Sequence, residues 1–142
     1  MIIRQAVPAD RAFWRTLDGH LPEAEFERKV RDGRAYVAED AGEPVGLLRY
    51  NLFWDLLPFL TLLYIREDCR GRGIGRALMA RWEDDMRALG HGMALTSTQV
   101  DEDAQHFYRR LGYRDCGGLT MDIPGYEQPM ELFMAKDLRN GG

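Results

Sequence analysis

Cys69-Arg70-Gly71-Arg72-Gly73-Ile74-Gly75 joins an apolar, strand-like run at Phe59 to Ile65 to an amphipathic helix pattern at Ile74 to Leu89. The first N–H groups of a helix have no intrahelical acceptor, and the aligned peptide dipoles place roughly half a positive charge there. Glycines permit left-handed backbone angles and let an anion approach the main chain closely. The stretch therefore predicts a strand, an anion-binding turn and a helix, in that order.

Arginines accompany the glycines, since Arg70, Arg72 and Arg76 all lie in or beside the turn. Their positive charge suits a diphosphate. A segment rich in Gly and Arg can equally be a surface connection between a strand and a helix, so the turn alone leaves both interpretations open. It is not a P-loop, because no Gly-Lys-Ser/Thr follows, and its glycine spacing is not G-x-G-x-x-G.

A second motif lies downstream, Asp101-Glu102-Asp103-Ala104-Gln105-His106-Phe107-Tyr108-Arg109-Arg110-Leu111-Gly112-Tyr113. It resembles the fourth-helix motif of the GNAT superfamily of acyl-coenzyme A N-acyltransferases. Arg70-x-x-Gly73-x-Gly75 matches the pyrophosphate-binding signature Gln/Arg-x-x-Gly-x-Gly/Ala of that family. Two motifs in the expected order are more specific than either alone, and the resemblance covers nearly the whole chain.

Hydrophobic periodicity predicts an α/β (α+β) domain with about seven strands and about four helices, in the order β-α-α-β-β-β-α-β-α-β-β. This is the order of the GNAT fold, in which a mixed central sheet splays between its fourth and fifth strands and the cofactor enters that cleft. In the long helix, the spacing predicts one buried stripe, made of Ile74, Leu78, Trp82, Met86 and Leu89.

Length and composition predict a single domain over residues 1–142, because 45% apolar content suits one sizeable core. A net charge of −4 argues against nucleic acid as a partner. No apolar run approaches the roughly 20 residues that span a bilayer, and the N-terminus lacks a secretory pattern, so we expect a cytoplasmic protein. Cys69 and Cys116 are expected to be reduced, and no Cys/His spacing indicates a metal site.

The resemblance implies acetyl-CoA as the acyl donor, held by backbone N–H groups of the glycine turn and by main-chain groups of the preceding strand. A backbone N–H near Leu63 would face the thioester carbonyl, a contact worth about 3 kcal/mol in oxyanion holes. The residues expected to bind the cofactor are Leu63, Ile65, Arg70, Gly71, Arg72, Gly73, Ile74, Gly75, Arg76, Asp101, Ala104, Tyr108 and Arg110.

Tyr108 is the expected general acid, because the family's tyrosine at this position directs its hydroxyl at the coenzyme A sulfur. A phenol of pKa about 10 suits a thiolate of roughly 8.5 to 9. The alternative is an ordinary core tyrosine. Asp101 departs from the family's usual Asn and can only accept hydrogen bonds, so it could contact the cofactor or Arg70, or merely cap a helix.

The general base is harder to assign. An amine of pKa near 10.4 is neutral in about one molecule in a few thousand at pH 7, which costs roughly 4 to 5 kcal/mol. The fourth strand contains no carboxylate, so we assign the base to Glu131 on the last strand. The weaker candidates are Asp55, Glu67, Asp68 and His106, with Thr96, Ser97 and Thr98 able to orient a water or the acceptor.

These features predict an N-acetyltransferase that acts on a primary amine of a small molecule or a protein, without an acyl-enzyme intermediate. Acidic residues would suit a cationic acceptor, and they are Asp18, Glu23, Glu25, Asp122, Glu127 and Glu131, with Phe53 and Trp54 as lining. The alternatives are a non-catalytic acyl-CoA sensor and an enzyme for longer acyl groups. The apolar segment from Phe53 to Pro58, if exposed, is a candidate homodimer surface.

Overall fold

The computed structural model describes residues 1–139. Its helices and strands follow the predicted order, and two short 3-10 turns, Pro8–Asp10 and Glu67–Cys69, precede α1 and α3. The bounds are β1 Ile2–Gln5, α1 Arg11–Leu17, α2 Glu23–Asp32, β2 Ala35–Asp40, β3 Glu43–Phe53, β4 Leu57–Ile65, α3 Ile74–Ala88, β5 Met93–Gln99, α4 Ala104–Arg110, β6 Arg114–Met121 and β7 Gln128–Asp137.

The seven strands form one mixed sheet in the order β1-β2-β3-β4-β5-β7-β6. Strand β4, the apolar run that precedes the glycine turn, is the middle strand, as its continuous hydrophobicity predicts. It pairs in parallel with β5, with Phe59 opposite Leu95 and Leu60 opposite Thr96. The predicted α+β class, seven strands and four helices are confirmed.

The chain divides into two compact units, and the first comprises Met1–Asn51 and Thr61–Asp84. Its core lies under α1 and α2, where Trp14 and Phe26 pack with their ring centroids 5.4 Å apart. Val37 and Leu47 are fully buried in the same cluster. These are the apolar positions of two helices and of two neighbouring strands, so periodicity alone identifies them as core.

The stripe predicted for α3 is correct for Ile74, Leu78, Trp82 and Met86, which are each at most 3% exposed. It is wrong for Leu89, which is 67% exposed and follows the last helical residue, Ala88. The helix ends in a Schellman motif, in which the N–H of His91 donates to the carbonyl of Met86 at 3.0 Å. The helix therefore ends at Ala88, one residue before the apolar pattern ends at Leu89.

The second unit comprises Leu52–Leu60 and the residues from Asp85 onward. Strand β7 alternates regularly here: Leu132, Met134 and Lys136 are buried, whereas Glu131 and Phe133 are half-buried. Its register with β5 is unbroken from Met93 opposite Asp137 to Gln99 opposite Glu131. Glu131, Phe133 and the neighbouring Ser97 therefore share one face of the sheet.

Candidate functional site

The glycine turn has the backbone that an anion site requires. Gly71 and Gly73 both have φ of +81°, and a Cβ added to either would meet nothing within 4 Å. The glycines are thus needed for their left-handed backbone, and the space beside them is open. The N–H of Ala77 donates to the carbonyl of Gly73 at 3.0 Å. The N–H groups before Ala77 precede the first intrahelical bond and are available to an anion.

The three arginines of the turn have different surroundings. Arg70 donates from Nε to the carbonyl of Ile65 at 3.1 Å, and its guanidinium lies 5.1 Å from the ring centroid of Tyr64. Arg72 lies 3.8 Å from a carboxylate oxygen of Asp40. Arg76 is exposed and makes no hydrogen bond or ion pair with the described residues. Arg70 is therefore held in place, whereas Arg76 carries an uncompensated charge.

The end of β4 is fixed by close packing. A Cβ on Gly46 would lie 2.7 Å from Cδ1 of Ile65 and 3.3 Å from the carbonyl oxygen of Tyr64, so a larger residue at position 46 would displace the Ile65 side chain. Leu63 and Ile65 are both half-buried. The resemblance assigns main-chain groups of Leu63 and Ile65 to the cofactor, and the Ile65 carbonyl accepts the hydrogen bond from Arg70.

Tyr108 is buried, with 7% of its surface exposed, on α4. Its ring lies 5.3 Å from that of Phe107 and 5.8 Å from that of Tyr113. Burial raises the pKa of Tyr108 to about 12, and a hydrogen bond with the Thr96 hydroxyl acts in the opposite direction. At neutral pH the phenol is therefore protonated, and it holds its proton more tightly than a free phenol of pKa about 10.

Thr96 links Tyr108 to the sheet. Its hydroxyl donates to the carbonyl of Leu60 at 3.2 Å, at the position where β4 and β5 pair. Among the three polar residues predicted at the end of β5, Thr96 is the one that contacts Tyr108. Period-two alternation separates Thr96 from Ser97 but not from Thr98, so the sequence alone does not single out Thr96.

The remaining residues of the downstream motif lie on or just before α4. The N-cap position of α4 is Asp103, not Asp101, so Asp101 does not cap the helix. Ala104 is the first residue of the helix, and the exposed side chains of Asp101 and Arg110 make no hydrogen bond or ion pair with described residues. Arg109 instead pairs with Asp115 at 3.0 Å.

Glu131 is held by two neutral donors. Ser97 Oγ donates to its Oε2 at 3.0 Å, and Gln128 Nε2 donates to its Oε1 at 3.0 Å. Within residues 1–139, no Lys, Arg or His forms an ion pair with this carboxylate. The sequence analysis named Glu131 and Ser97 but missed Gln128, the first residue of β7, because its spacing of three residues from Glu131 does not follow the period of a strand.

Several other predicted carboxylates are already paired. Asp18 is buried and accepts from Arg49 Nε at 2.7 Å and from Trp14 Nε1 at 3.0 Å. Glu23 pairs with Arg11 and Arg15, Glu25 with Arg28, and Asp68 with Arg66. His106 is exposed. Asp18 therefore has a structural role, and a lining role for it in an acceptor site is not supported.

Two further searches concern residues 1–139. No group of three or more His, Cys, Asp or Glu side chains in this range is placed to hold a metal ion. No helix in the same range is long and apolar enough to cross a membrane. Cys69 is buried and Cys116 exposed, and neither forms a disulfide.

Known proteins resemble the chain along most of its length. The family model described as "Acetyltransferase (GNAT) family" matches residues 3–113. The aminoglycoside N(6')-acetyltransferase type 1 of Stenotrophomonas maltophilia is 30% identical over 147 residues, covering 91% of this chain and 94% of that protein. The streptothricin acetyltransferase of Streptomyces lavendulae is 35% identical over 94 residues, which is 64% of this chain but only 50% of that protein's length.

The fold has a similar counterpart among solved structures. The ribosomal-protein-alanine N-acetyltransferase from Brucella melitensis superposes with a TM-score of 0.81 at 25% identity, covering 96% of this chain and 99% of that one. The family model spans the glycine turn and the Tyr108 motif, and the structural match covers 96% of the chain. The chain therefore belongs to the GNAT family of acetyltransferases.

Proposed function

We propose that this chain, as one acetyltransferase domain, transfers an acetyl group directly from acetyl-CoA to a primary amine. The observation that carries the proposal is the buried, protonated Tyr108, fixed by Thr96 and by neighbouring rings. A protein that only senses acyl-CoA needs the glycine turn but has no use for a positioned proton donor.

The glycine turn is the proposed donor site. The first N–H groups of α3 would hold the diphosphate, with Arg70, Arg72 and Arg76 adding positive charge. The open space beside Gly71 and Gly73 supports this role, because a phosphate needs to reach the main chain. Leu63 and Ile65 would contact the pantetheine arm through main-chain groups, and Asp101, Ala104 and Arg110 are proposed as further cofactor contacts.

The proposed reaction has one tetrahedral intermediate. The neutral amine nitrogen attacks the thioester carbonyl carbon, and a C–N bond forms while the carbonyl oxygen becomes an oxyanion. The C–S bond then breaks, and the Tyr108 hydroxyl gives its proton to the departing thiolate. Glu131 is the proposed acceptor of the amine's proton, because its carboxylate is oriented by Ser97 and Gln128 and has no cation paired to it.

Two relatives carry names that specify their acceptors, an aminoglycoside and streptothricin. Neither substrate is assigned to this chain. The acceptor is proposed as a primary amine, and the acyl group as acetyl, since Leu62, Leu63 and Phe107 are bulky.

The proposal is tested by separating binding from chemistry. Calorimetry with acetyl-CoA should show micromolar binding that Gly73→Glu abolishes, because the substitution adds bulk and negative charge to the turn. A panel of amines is then assayed by release of the free coenzyme A thiol. Tyr108→Phe should bind acetyl-CoA as the wild type does but transfer acetyl groups far more slowly. Unchanged turnover in Tyr108→Phe would refute the role of Tyr108.

A further inference from the structure

Four aromatic rings form a continuous series on the second unit. Phe133 lies 5.9 Å from Phe59, Phe59 lies 6.1 Å from Phe53, and Phe53 lies 4.8 Å from Trp54, measured between ring centroids. We call these four residues the aromatic ladder. Exposure increases along it, from half-buried Phe133 and Phe59 to Trp54, which is 76% exposed.

The ladder begins beside a carboxylate. Glu131 lies two residues before Phe133 on the same face of β7, and Ser97, the partner of Phe133 in the sheet register, donates to Glu131. It ends beside another, because Asp55 follows Trp54 directly. Asp55 is exposed and its carboxylate has no hydrogen bond or ion pair to the described part of the chain.

The hairpin turn that carries Trp54 has left-handed backbone angles, which bulky residues disfavour. The N–H of Leu56 donates to the carbonyl of Phe53 at 3.1 Å, and the two central residues, Trp54 and Asp55, have φ of +57° and +58°. Gly, Asn and Asp fit such a hairpin turn, whereas a bulky residue at positive φ is unusual. A large exposed ring is thus placed where glycine would fold more easily.

The chemistry of these groups selects a cation. The faces of aromatic rings attract ammonium groups, and a carboxylate at each end of the ladder attracts positive charge. Glu131 and Asp55 would repel an anion, and an uncharged polar ligand would lack the charge attraction that an ammonium group gains from them. The matched ligand is therefore an elongated molecule with an ammonium group near each end.

We propose that the aromatic ladder holds an acceptor with two amino groups, one beside Glu131 and the second over Trp54 beside Asp55. The inference rests on the proposed function, because the amine beside Glu131 is the one to be acetylated. The substrate class is then linear diamines or polyamines. Trp54 and Asp55 determine specificity and take no part in the chemical step.

The test measures binding without turnover. Unbranched diamines of about ten to twelve carbons, long enough to follow the ring separations of 5.9, 6.1 and 4.8 Å, are titrated by calorimetry into the protein, alone and with coenzyme A, and compared with monoamines of the same carbon number. We expect diamines to bind about fivefold more tightly, as one exposed cation–π contact allows. Trp54→Gly and Asp55→Asn should remove this preference, whereas Glu27→Gln, which alters an exposed carboxylate on α2, should retain it.

Trp54→Gly also separates binding from folding. Glycine suits the left-handed backbone at position 54, so this variant should melt at the same temperature as the wild type or a few degrees higher. A loss of diamine preference without loss of stability would therefore reflect the missing ring.

The proposal is overturned if diamines and monoamines bind alike, including the case in which neither binds, or if Trp54→Gly keeps the preference. It is also overturned if the wild type is a dimer that Trp54→Gly dissociates, since a second copy would then cover the ladder. Diamine preference without acetyl transfer would contradict the proposed function alone, and transfer without diamine preference would contradict this inference alone.

Discussion

The peptide N–H of Tyr113 donates to the carbonyl of Tyr108 at 3.0 Å, and the two rings lie 5.8 Å apart. This hydrogen bond closes a Schellman motif at the end of α4, with Gly112 in the left-handed region at φ +97°. The contact that ends the helix is thus the same contact that fixes the backbone of the proposed general acid.

Replacing the phenol hydroxyl tests its chemical role. Tyr108→Phe keeps the ring contacts and removes only the hydroxyl, so coenzyme A affinity should stay within about twofold while kcat falls by about 10² to 10⁴. Steady-state kinetics and calorimetry measure the two quantities separately. A matched control is Tyr113→Phe, which keeps the neighbouring ring contact and should leave kcat near the wild-type value.

The raised pKa of Tyr108 predicts a loss of stability at high pH. An unfolded tyrosine ionises near pH 10, whereas the folded one ionises near 12, so the unfolded state binds fewer protons in between. Stability is fully present below pH 10 and falls as the pH rises toward 12. Urea unfolding across this range should show a steeper fall for wild type than for Tyr108→Phe; parallel curves would contradict the prediction.

Alanine substitutions at two glycines can separate an effect on stability from an effect on acetyl-CoA binding. Gly73 and Gly42 have φ of +81° and +82°, and neither would place a Cβ within 4 Å of other atoms. Substituting alanine at either should cost about 1 to 2 kcal/mol of stability. Only Gly73→Ala should also weaken acetyl-CoA binding, because Gly42 lies in the β2–β3 turn. Equal binding by both variants would show that the turn holds no donor.

Asp18 offers a prediction for a structural carboxylate. Asp18→Ala leaves the guanidinium of Arg49 and the indole N–H of Trp14 without their partner, so we expect a loss of about 3 to 5 kcal/mol in unfolding free energy. Denaturant unfolding measures this loss. A stable variant with a changed KM for the amine would instead place Asp18 in the acceptor site.

The sequence predicts the fold well where local signals and tertiary structure agree. Two of these signals are apolar patterns, namely the continuous run of β4 and the stripe of α3 up to Met86. The third is a backbone requirement, the left-handed angles at Gly71 and Gly73. The prediction is wrong for Leu89, because this residue continues the apolar spacing of α3 although the chain has already turned after Ala88. Apolar spacing does not report where a helix ends.

The site is less predictable, because its contacts join residues that are distant in sequence. The hydrogen bond between Ser97 and Glu131 spans 34 positions, and its formation depends on the register of β5 with β7. The aromatic ladder likewise needs Phe59 and Phe133 on one face of β4 and β7, the strands on either side of β5. The pairing of Asp18 with half-buried Arg49 is likewise invisible in the sequence, since a carboxylate near a helix end looks alike whether it faces solvent or an arginine.

Arg70 is tethered before any ligand arrives, by the carbonyl of Ile65 and the ring of Tyr64. A free arginine side chain loses up to about 2 kcal/mol of rotamer entropy when it is immobilised. Folding has already imposed that entropy loss on Arg70. Binding of an anion at the start of α3 therefore costs little further rotamer entropy at this side chain. Arg76, which is untethered, must still be ordered, and the two side chains should therefore contribute unequally to the entropy of donor binding.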